Sequence, residues 1–118
     1  MSDTPLILLV DDDDGVRLTL RDYLEMKGHR LIVASDGVGA ISVLVDHDVS
    51  LIITDFRMAP LGGDYWMRFL IRFCPDVPVL VMSGFLDVNI DVPFETFAKP
   101  FDYEDLERRV REMLGHGT

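Results

Sequence analysis

Four short apolar runs and a weaker fifth are distributed along the chain, and each is bounded by polar or turn-forming residues. Runs of this length are typical of β-strands that are buried on both faces. Between them, apolar residues recur every three or four positions, which is typical of helices with one buried face. The predicted strands occupy residues 6–10, 31–34, 51–54, 79–82 and 96–99.

Four helical stripes are well marked. Gly28 is expected to end the first helix, and Asp102 is the predicted N-cap of the last. Between the fourth and fifth strands, from Gly84 to Glu95, the periodicity is much weaker, so a helix there would be shortened or missing. The stripes comprise Val16, Leu20, Tyr23, Leu24 and Lys27; Val38, Ile41, Leu44 and Val45; Trp66, Phe69, Leu70 and Phe73; and Leu106, Val110, Met113 and Leu114.

Alternating strands and helices predict an α/β fold, in which helices cover both faces of a parallel sheet. Right-handed crossovers between about five strands favour the doubly wound order 2-1-3-4-5. With 118 residues and 48% hydrophobic content, the whole chain (residues 1–118) is expected to form one domain. In this order the first and third strands are neighbours at the topological switch point, where ligands bind beyond the carboxyl ends.

Polar residues with useful chemistry lie at the ends of four predicted strands. Asp11 and Asp12 follow the first strand, and Asp55 follows the third. Ser83 follows the fourth strand and Lys99 ends the fifth. Crowded carboxylates are stabilised by a cation, and their hard oxygens suit Mg²⁺. A carboxylate can also attack a phosphoryl group, whose oxygens a hydroxyl and an ammonium group would then contact.

The acidic run continues through Asp13 and Asp14. We expect these two residues to cap the following helix and to interact with its N-terminal dipole. All four acids could cap the helix in this way, which is the alternative to metal binding. For Asp11 and Asp12 we favour metal binding.

The formal net charge is −10, which argues against a nucleic-acid surface because phosphate backbones would be repelled. It favours a bound cation or a partner with a basic patch. No apolar run is long enough to span a membrane, and the N-terminus shows no secretory signal. Cys74 is the only cysteine, which excludes an internal disulfide. These features lead us to expect a cytoplasmic protein.

Four sequence runs resemble those of response-regulator receiver domains, in the same order and over nearly the whole chain. They are Leu8-Leu9-Val10-Asp11-Asp12, Ile52-Ile53-Thr54-Asp55-Phe56-Arg57-Met58, Val81-Met82-Ser83-Gly84 and Ala98-Lys99-Pro100-Phe101-Asp102. The resemblance implies a flavodoxin-like fold and a module that is not an enzyme, beyond catalysing its own phosphoryl transfer and dephosphorylation.

The resemblance also implies a role for each site residue. Asp55 would be the phosphoacceptor, and Ser83 the switch hydroxyl. Lys99 would pair with the phosphoryl group, and the Lys99-Pro100 peptide bond would be cis. Asp11, Asp12 and Asp55 would bind Mg²⁺ together with the backbone carbonyl of Arg57.

Three features depart from the family pattern. Met58 is followed by Ala59 where the family usually has proline, which here comes one position later. Thr96 occupies the position of the family's switch aromatic, and strand alternation puts Phe97 on the opposite face. Ser83 and Lys99 are about a turn and a half of helix closer in sequence than is usual.

The leading hypothesis is a switch of a two-component system, phosphorylated by a histidine kinase or a histidine phosphotransfer protein. One alternative is a docking module that keeps the fold and works without phosphorylation. A second is a phosphatase, because Asp12-Asp13-Asp14-Gly15 resembles the start of haloacid-dehalogenase-type enzymes. The sequence lacks the later acidic pair that such an enzyme needs. Because Thr96 is too small to act as a switch aromatic, we expect phosphorylation to order the segment after Ser83 instead.

Overall fold

The computed structural model describes residues 4–56, 64–84 and 92–115. Five strands and four helices occupy these parts of the chain. The strands are β1 (Leu6–Val10), β2 (Arg30–Ala34), β3 (Leu51–Asp55), β4 (Val79–Ser83) and β5 (Glu95–Ala98); the helices are α1 (Asp14–Met26), α2 (Gly37–Asp46), α3 (Asp64–Phe73) and α4 (Tyr103–Met113).

The strands form one parallel sheet in the order β2-β1-β3-β4-β5. The predicted doubly wound, flavodoxin-like arrangement is therefore confirmed. Strand ends differ from the prediction by one residue at several positions. Lys99 lies just beyond β5 instead of closing it.

The sheet separates two apolar cores because successive strand residues point to opposite faces. On one face, Leu8 and Val10 of β1 belong to a cluster with Ala40 of α2 and Leu70 of α3. On the other face, Ile7 and Leu9 of β1 pack in a cluster with residues of α1 and α4. All five residues of β1, β3 and β4 are buried, as expected for central strands of such a fold.

Side-chain hydrogen bonds set the starts of three helices. Asp13 accepts from the Val16 amide at 3.0 Å, which confirms its predicted capping role. Asp36 caps α2 through the Gly39 amide at 2.8 Å. Asp102 caps α4 as predicted. Each cap satisfies an amide that has no partner within its helix.

Three apolar residues predicted to be buried on helix faces are exposed instead. Val38 and Val45 are 58% and 76% exposed, and Phe73 is 63% exposed. Helix α2 is apolar on nearly every side, so spacing alone does not select its inner face. Its small residues Gly37 and Ala40 face inward, where they allow the helix to approach the sheet closely.

Residues 85–91, where the prediction of a shortened or missing fourth helix falls, lie outside the described residues. The described parts of this connection, residue 84 and residues 92–94, contain no helix. Within the part of the chain that the structure covers, no helix is long and apolar enough to cross a membrane.

Candidate functional site

The carboxyl ends of β1 and β3 bring the first two site residues together. The register pairs Val10 with Thr54, so Asp11 and Asp55 follow neighbouring positions at one edge of the sheet. Asp11 is fully buried and Asp55 is 7% exposed. Two carboxylates are thus held side by side with little access to water.

Lys99 connects these carboxylates. Its Nζ lies 2.9 Å from Asp11 Oδ2 and 3.2 Å from Asp55 Oδ1. Its backbone amide donates to the carbonyl of Ser83 at 2.7 Å, which fixes the chain just after β5. The following Lys99-Pro100 peptide bond is cis, as predicted.

One ammonium group does not balance the negative charge at this edge. Burial raises the pKa of Asp55, and the charge of Asp11 raises it further; Lys99 offsets only part of this, leaving a pKa of about 6. Burial lowers the pKa of Lys99, but its hydrogen bond to Asp11 and the charge of Asp55 outweigh that effect and leave it above its ordinary value. The site therefore has an excess of buried carboxylate.

Two further hydrogen bonds, one to its carboxylate and one to its backbone carbonyl, hold Asp11 in place. Its Oδ1 accepts from the Asp13 amide at 2.9 Å. Its carbonyl oxygen accepts from Arg17 Nη1, also at 2.9 Å. The sequence did not single out Arg17, because its role depends on the turn between β1 and α1.

Asp12 completes an acidic group with the two buried carboxylates. One oxygen each from Asp11, Asp12 and Asp55 lie within 4.8 Å of one another. Asp12 is exposed, so the group opens to solvent on its side. This donor set suits a hard divalent cation such as Mg²⁺. Arg57, predicted to supply a carbonyl ligand, lies outside the described residues.

Ser83 and Thr96 lie on the two strands next to the site. Ser83 is the last residue of β4 and is 8% exposed. Thr96 is exposed on β5, and Phe97 faces the opposite side, where it packs edge-to-face against Phe101 at 6.4 Å between ring centroids. The expected separation of Thr96 from Phe97 is thus observed.

A neutral hydrogen-bond chain lies directly behind Asp55. The indole N–H of Trp66 donates to Thr54 Oγ1 at 2.8 Å, and the Thr54 hydroxyl donates to the Asp55 carbonyl at 3.0 Å. Both side chains are buried. Trp66 was predicted only to pack; the one available indication was a threonine within the apolar run of β3.

A second polar cluster, around the buried carboxylate of Glu107, lies between the end of α1 and α4, and the sequence analysis missed it. His29 Nε2 is 2.8 Å from Glu107 Oε2, and Arg111 Nε is 3.0 Å from Glu107 Oε1. Burial raises the pKa of Glu107, but hydrogen bonds from His29 and Arg111 outweigh that effect and leave it below its ordinary value. Here one carboxylate has two basic partners.

Comparison with known proteins points to the same family that the four sequence runs resemble. The family model of the response regulator receiver domain matches residues 7–111. The signal receiver domain of an HD domain-containing protein from Pseudomonas fluorescens Pf-5 has a similar structure, with a TM-score of 0.86 at 23% identity over 97% of both chains. That likeness concerns the fold alone.

Two curated relatives place a similar segment within longer proteins. Transcriptional regulatory protein ZraR of Klebsiella oxytoca is 29% identical over 116 residues, which cover 93% of this chain and 26% of that protein. Sensor kinase CckA of Brucella abortus (strain 2308) is 28% identical over 122 residues, which cover 97% of this chain and 13% of the kinase. With the family match over most of its length, this chain belongs to the response regulator receiver domains, the phosphorylation-based signalling modules of two-component systems.

Proposed function

We propose that the chain is a switch that accepts a phosphoryl group on Asp55. The observation that carries this proposal is the contact of one ammonium group, Lys99 Nζ, with both Asp11 and Asp55 at the carboxyl edge of the sheet. A structural ion pair needs one acid for one base. An additional buried acid, whose pKa is raised, fits a group that is kept ready for reaction.

In the proposed reaction an Asp55 carboxylate oxygen attacks the phosphorus of a phosphohistidine in a partner protein. A P–O bond forms, the P–N bond breaks, and the released imidazole nitrogen takes up a proton. Lys99 would offset charge on the transferring group, and Ser83 would contact one of its oxygens once it is attached. Such a transfer depends mainly on positioning and on charge stabilisation.

Asp11, Asp12 and Asp55 would hold Mg²⁺, together with the Arg57 carbonyl. The close approach of the three carboxylates supports this assignment. The bound cation would supply positive charge beside the transferring phosphoryl oxygens. Asp11 is fixed by the Asp13 amide and by Arg17, so it would act as a rigid ligand.

A histidine kinase or a histidine phosphotransfer protein would be the phosphoryl donor, and phosphorylation would order the segment that follows Ser83. The complete set of Asp11, Asp12, Asp55, Ser83 and Lys99 supports a working switch over a docking module without phosphorylation. The downstream partner would then recognise a surface formed after transfer.

Replacing the proposed nucleophile tests the assignment directly. Asp55→Asn is expected to abolish phosphoryl incorporation from acetyl phosphate with Mg²⁺ present, measured as an increase in intact mass. Asp46→Asn, at the exposed end of α2, is the matched control and should be phosphorylated like the wild type. Incorporation into Asp55→Asn at the wild-type rate would remove Asp55 from this role.

The cation assignment has its own test. The double variant Asp11→Asn/Asp12→Asn should weaken Mg²⁺ binding by about tenfold or more, because two charged ligands are lost while the crowding is relieved. Magnetic resonance titration of backbone amides near the site gives both the affinity and a check of the fold. An unchanged Mg²⁺ affinity would leave both acids with capping roles only.

A further inference from the structure

An apolar groove lies between α2 and α3, separate from the acidic site. Its volume is about 330 Å³, and Ile41 of α2 forms one side of it. The other side belongs to α3 and is largely aromatic. The aromatic lining comprises Tyr65, Trp66, Phe69 and Phe73.

Of these four rings, Tyr65 and Phe73 are open to water, Phe69 is half-buried and Trp66 is buried. Trp66 stacks on Phe69 at 5.8 Å, and Phe69 contacts Phe73 at 5.1 Å, both between ring centroids. Tyr65 is 73% exposed and Phe73 is 63% exposed. Leaving two large aromatic side chains in water beside an apolar groove is unfavourable, and exposed apolar patches mark interaction surfaces.

Two arginines border the aromatic surface. The guanidinium carbon of Arg68 lies 5.4 Å from the Tyr65 ring centroid, and that of Arg72 lies 5.6 Å from that of Phe73. Neither guanidinium pairs with a carboxylate among the side chains that the structure describes, which are those of residues 4–56, 65–84 and 92–115. Elsewhere, by contrast, arginines on α1 and α4 pair with acids: Arg17, Arg21, Arg108, Arg109 and Arg111.

This contrast indicates what the groove would bind. Among the side chains that the structure describes, these two guanidinium groups lie beside aromatic rings and beside no carboxylate. They lie four residues apart, about 6 Å along the helix axis. Carboxylates spaced by one helical turn would match them.

We propose that the α2–α3 groove docks an acidic amphipathic helix of another protein. Apolar side chains of that helix would cover the rings, and acidic residues one turn apart would pair with Arg68 and Arg72. This mode of recognition uses apolar contact for affinity and charge for orientation. The proposal concerns a different surface from the phosphorylation site and does not depend on it.

Trp66 is the only tryptophan and lines the groove, so its fluorescence reports occupancy. The probe is a synthetic helical peptide of about 16 residues, made of alanine, a leucine stripe, and glutamates one turn apart beside that stripe. Its matched control carries glutamine in place of every glutamate. We expect a saturable fluorescence change with the acidic peptide that weakens as salt is raised.

Variants on the exposed face then assign the contact. Arg68→Gln/Arg72→Gln should weaken binding by about tenfold, as expected for two charge pairs at a partly covered rim. Arg21→Gln/Arg108→Gln removes two arginines from α1 and α4 and should leave binding unchanged. Tyr65→Ala, which removes an exposed ring, should also weaken binding. Asp55→Asn should bind the peptide like the wild type, because Asp55 does not line the groove. Peptide binding therefore tests the groove independently of phosphorylation.

Three outcomes would overturn the proposal. One is the absence of saturable binding up to about 1 mM peptide at low salt. Another is equal binding of the glutamate and glutamine peptides. The third is a dimer, seen by sedimentation, that Arg68→Gln/Arg72→Gln dissociates, because the occupant would then be a second copy of this chain.

Discussion

The carboxylates of Asp55 and Glu107 are both almost completely buried, with 7% and 5% of each residue exposed, but the charges around them differ. Asp55 shares a single lysine with a second buried acid, Asp11. Glu107 has two basic partners to itself, His29 and Arg111. The pKa of Asp55 is raised to about 6, whereas that of Glu107 is lowered.

This difference is the one we expect between the proposed phosphorylation site and a structural ion pair. Burial alone disfavours both carboxylates, and their basic partners decide the net effect. At Glu107 hydrogen bonds from His29 and Arg111 offset the loss of water, and the cluster joins the end of α1 to α4. At Asp55 the single shared lysine does not offset the loss of water, so an added cation would stabilise the site. Excess buried charge is an energetic cost that a protein keeps where function requires it.

The largest expected effect comes from removing Lys99, and Arg111 of the other cluster provides the matched control. Lys99→Met should slow phosphoryl incorporation from acetyl phosphate by about 100-fold, because a positive group beside the transferring oxygens is lost. Arg111→Met removes one cation from the other cluster and should leave the rate nearly unchanged. Intact mass followed over time measures both. Similar rates in the two variants would contradict the division of roles.

Neutralising Asp55 and neutralising Glu107 should change the free energy of unfolding in opposite directions. Without metal and near neutral pH, Asp55→Asn is expected to raise the free energy of unfolding by about 1–3 kcal/mol, because a buried charge with a raised pKa is removed. Glu107→Gln should lower it by about 1–3 kcal/mol, because two basic groups lose a charged acceptor. Urea unfolding with a chelator present measures both. A loss of stability in both variants would show that Asp55 is a structural ion-pair partner.

The smallest effects are in the pH dependence, where the two sites should also differ in sign. The pKa of Asp55 is raised in the folded state, so its contribution to stability is present below its ordinary value of 3.8 and is lost as the pH rises through about 6. The stabilisation by Asp55→Asn should therefore grow over that interval and then level off. The pKa of Glu107 is lowered, so its contribution is present above 4.5 and is lost as the pH falls further.

A neutral variant provides the control for the pH series. Thr54→Val removes the acceptor of the Trp66 indole N–H and should cost about 1–2 kcal/mol at every pH. Urea unfolding at several pH values, with chelator, gives all three profiles. A sloping profile for Thr54→Val would mean that the other slopes do not report the carboxylates.

The sequence predicted the fold class, the strand order and the caps at Asp13 and Asp102, all of which the structure confirms. These features depend on local patterns: runs of buried strand residues, and polar residues at helix starts. Burial was predicted less well where a helix is apolar on several sides. Val38 and Val45 are exposed because the smaller Gly37 and Ala40 face the sheet.

By itself, the sequence determined which residues lie at the carboxyl edge of the sheet, because in a parallel sheet every strand ends there. Only the tertiary structure decided which basic groups pair with which buried carboxylates. Lys99 reaches two acids, whereas Glu107 meets His29, 78 positions away, with Arg111 beside it. Spacing along the chain carries no information about such a pairing, since it arises when α1 and α4 pack on the same face of the sheet. Burial then makes each added or missing charge matter, because little water remains to screen it.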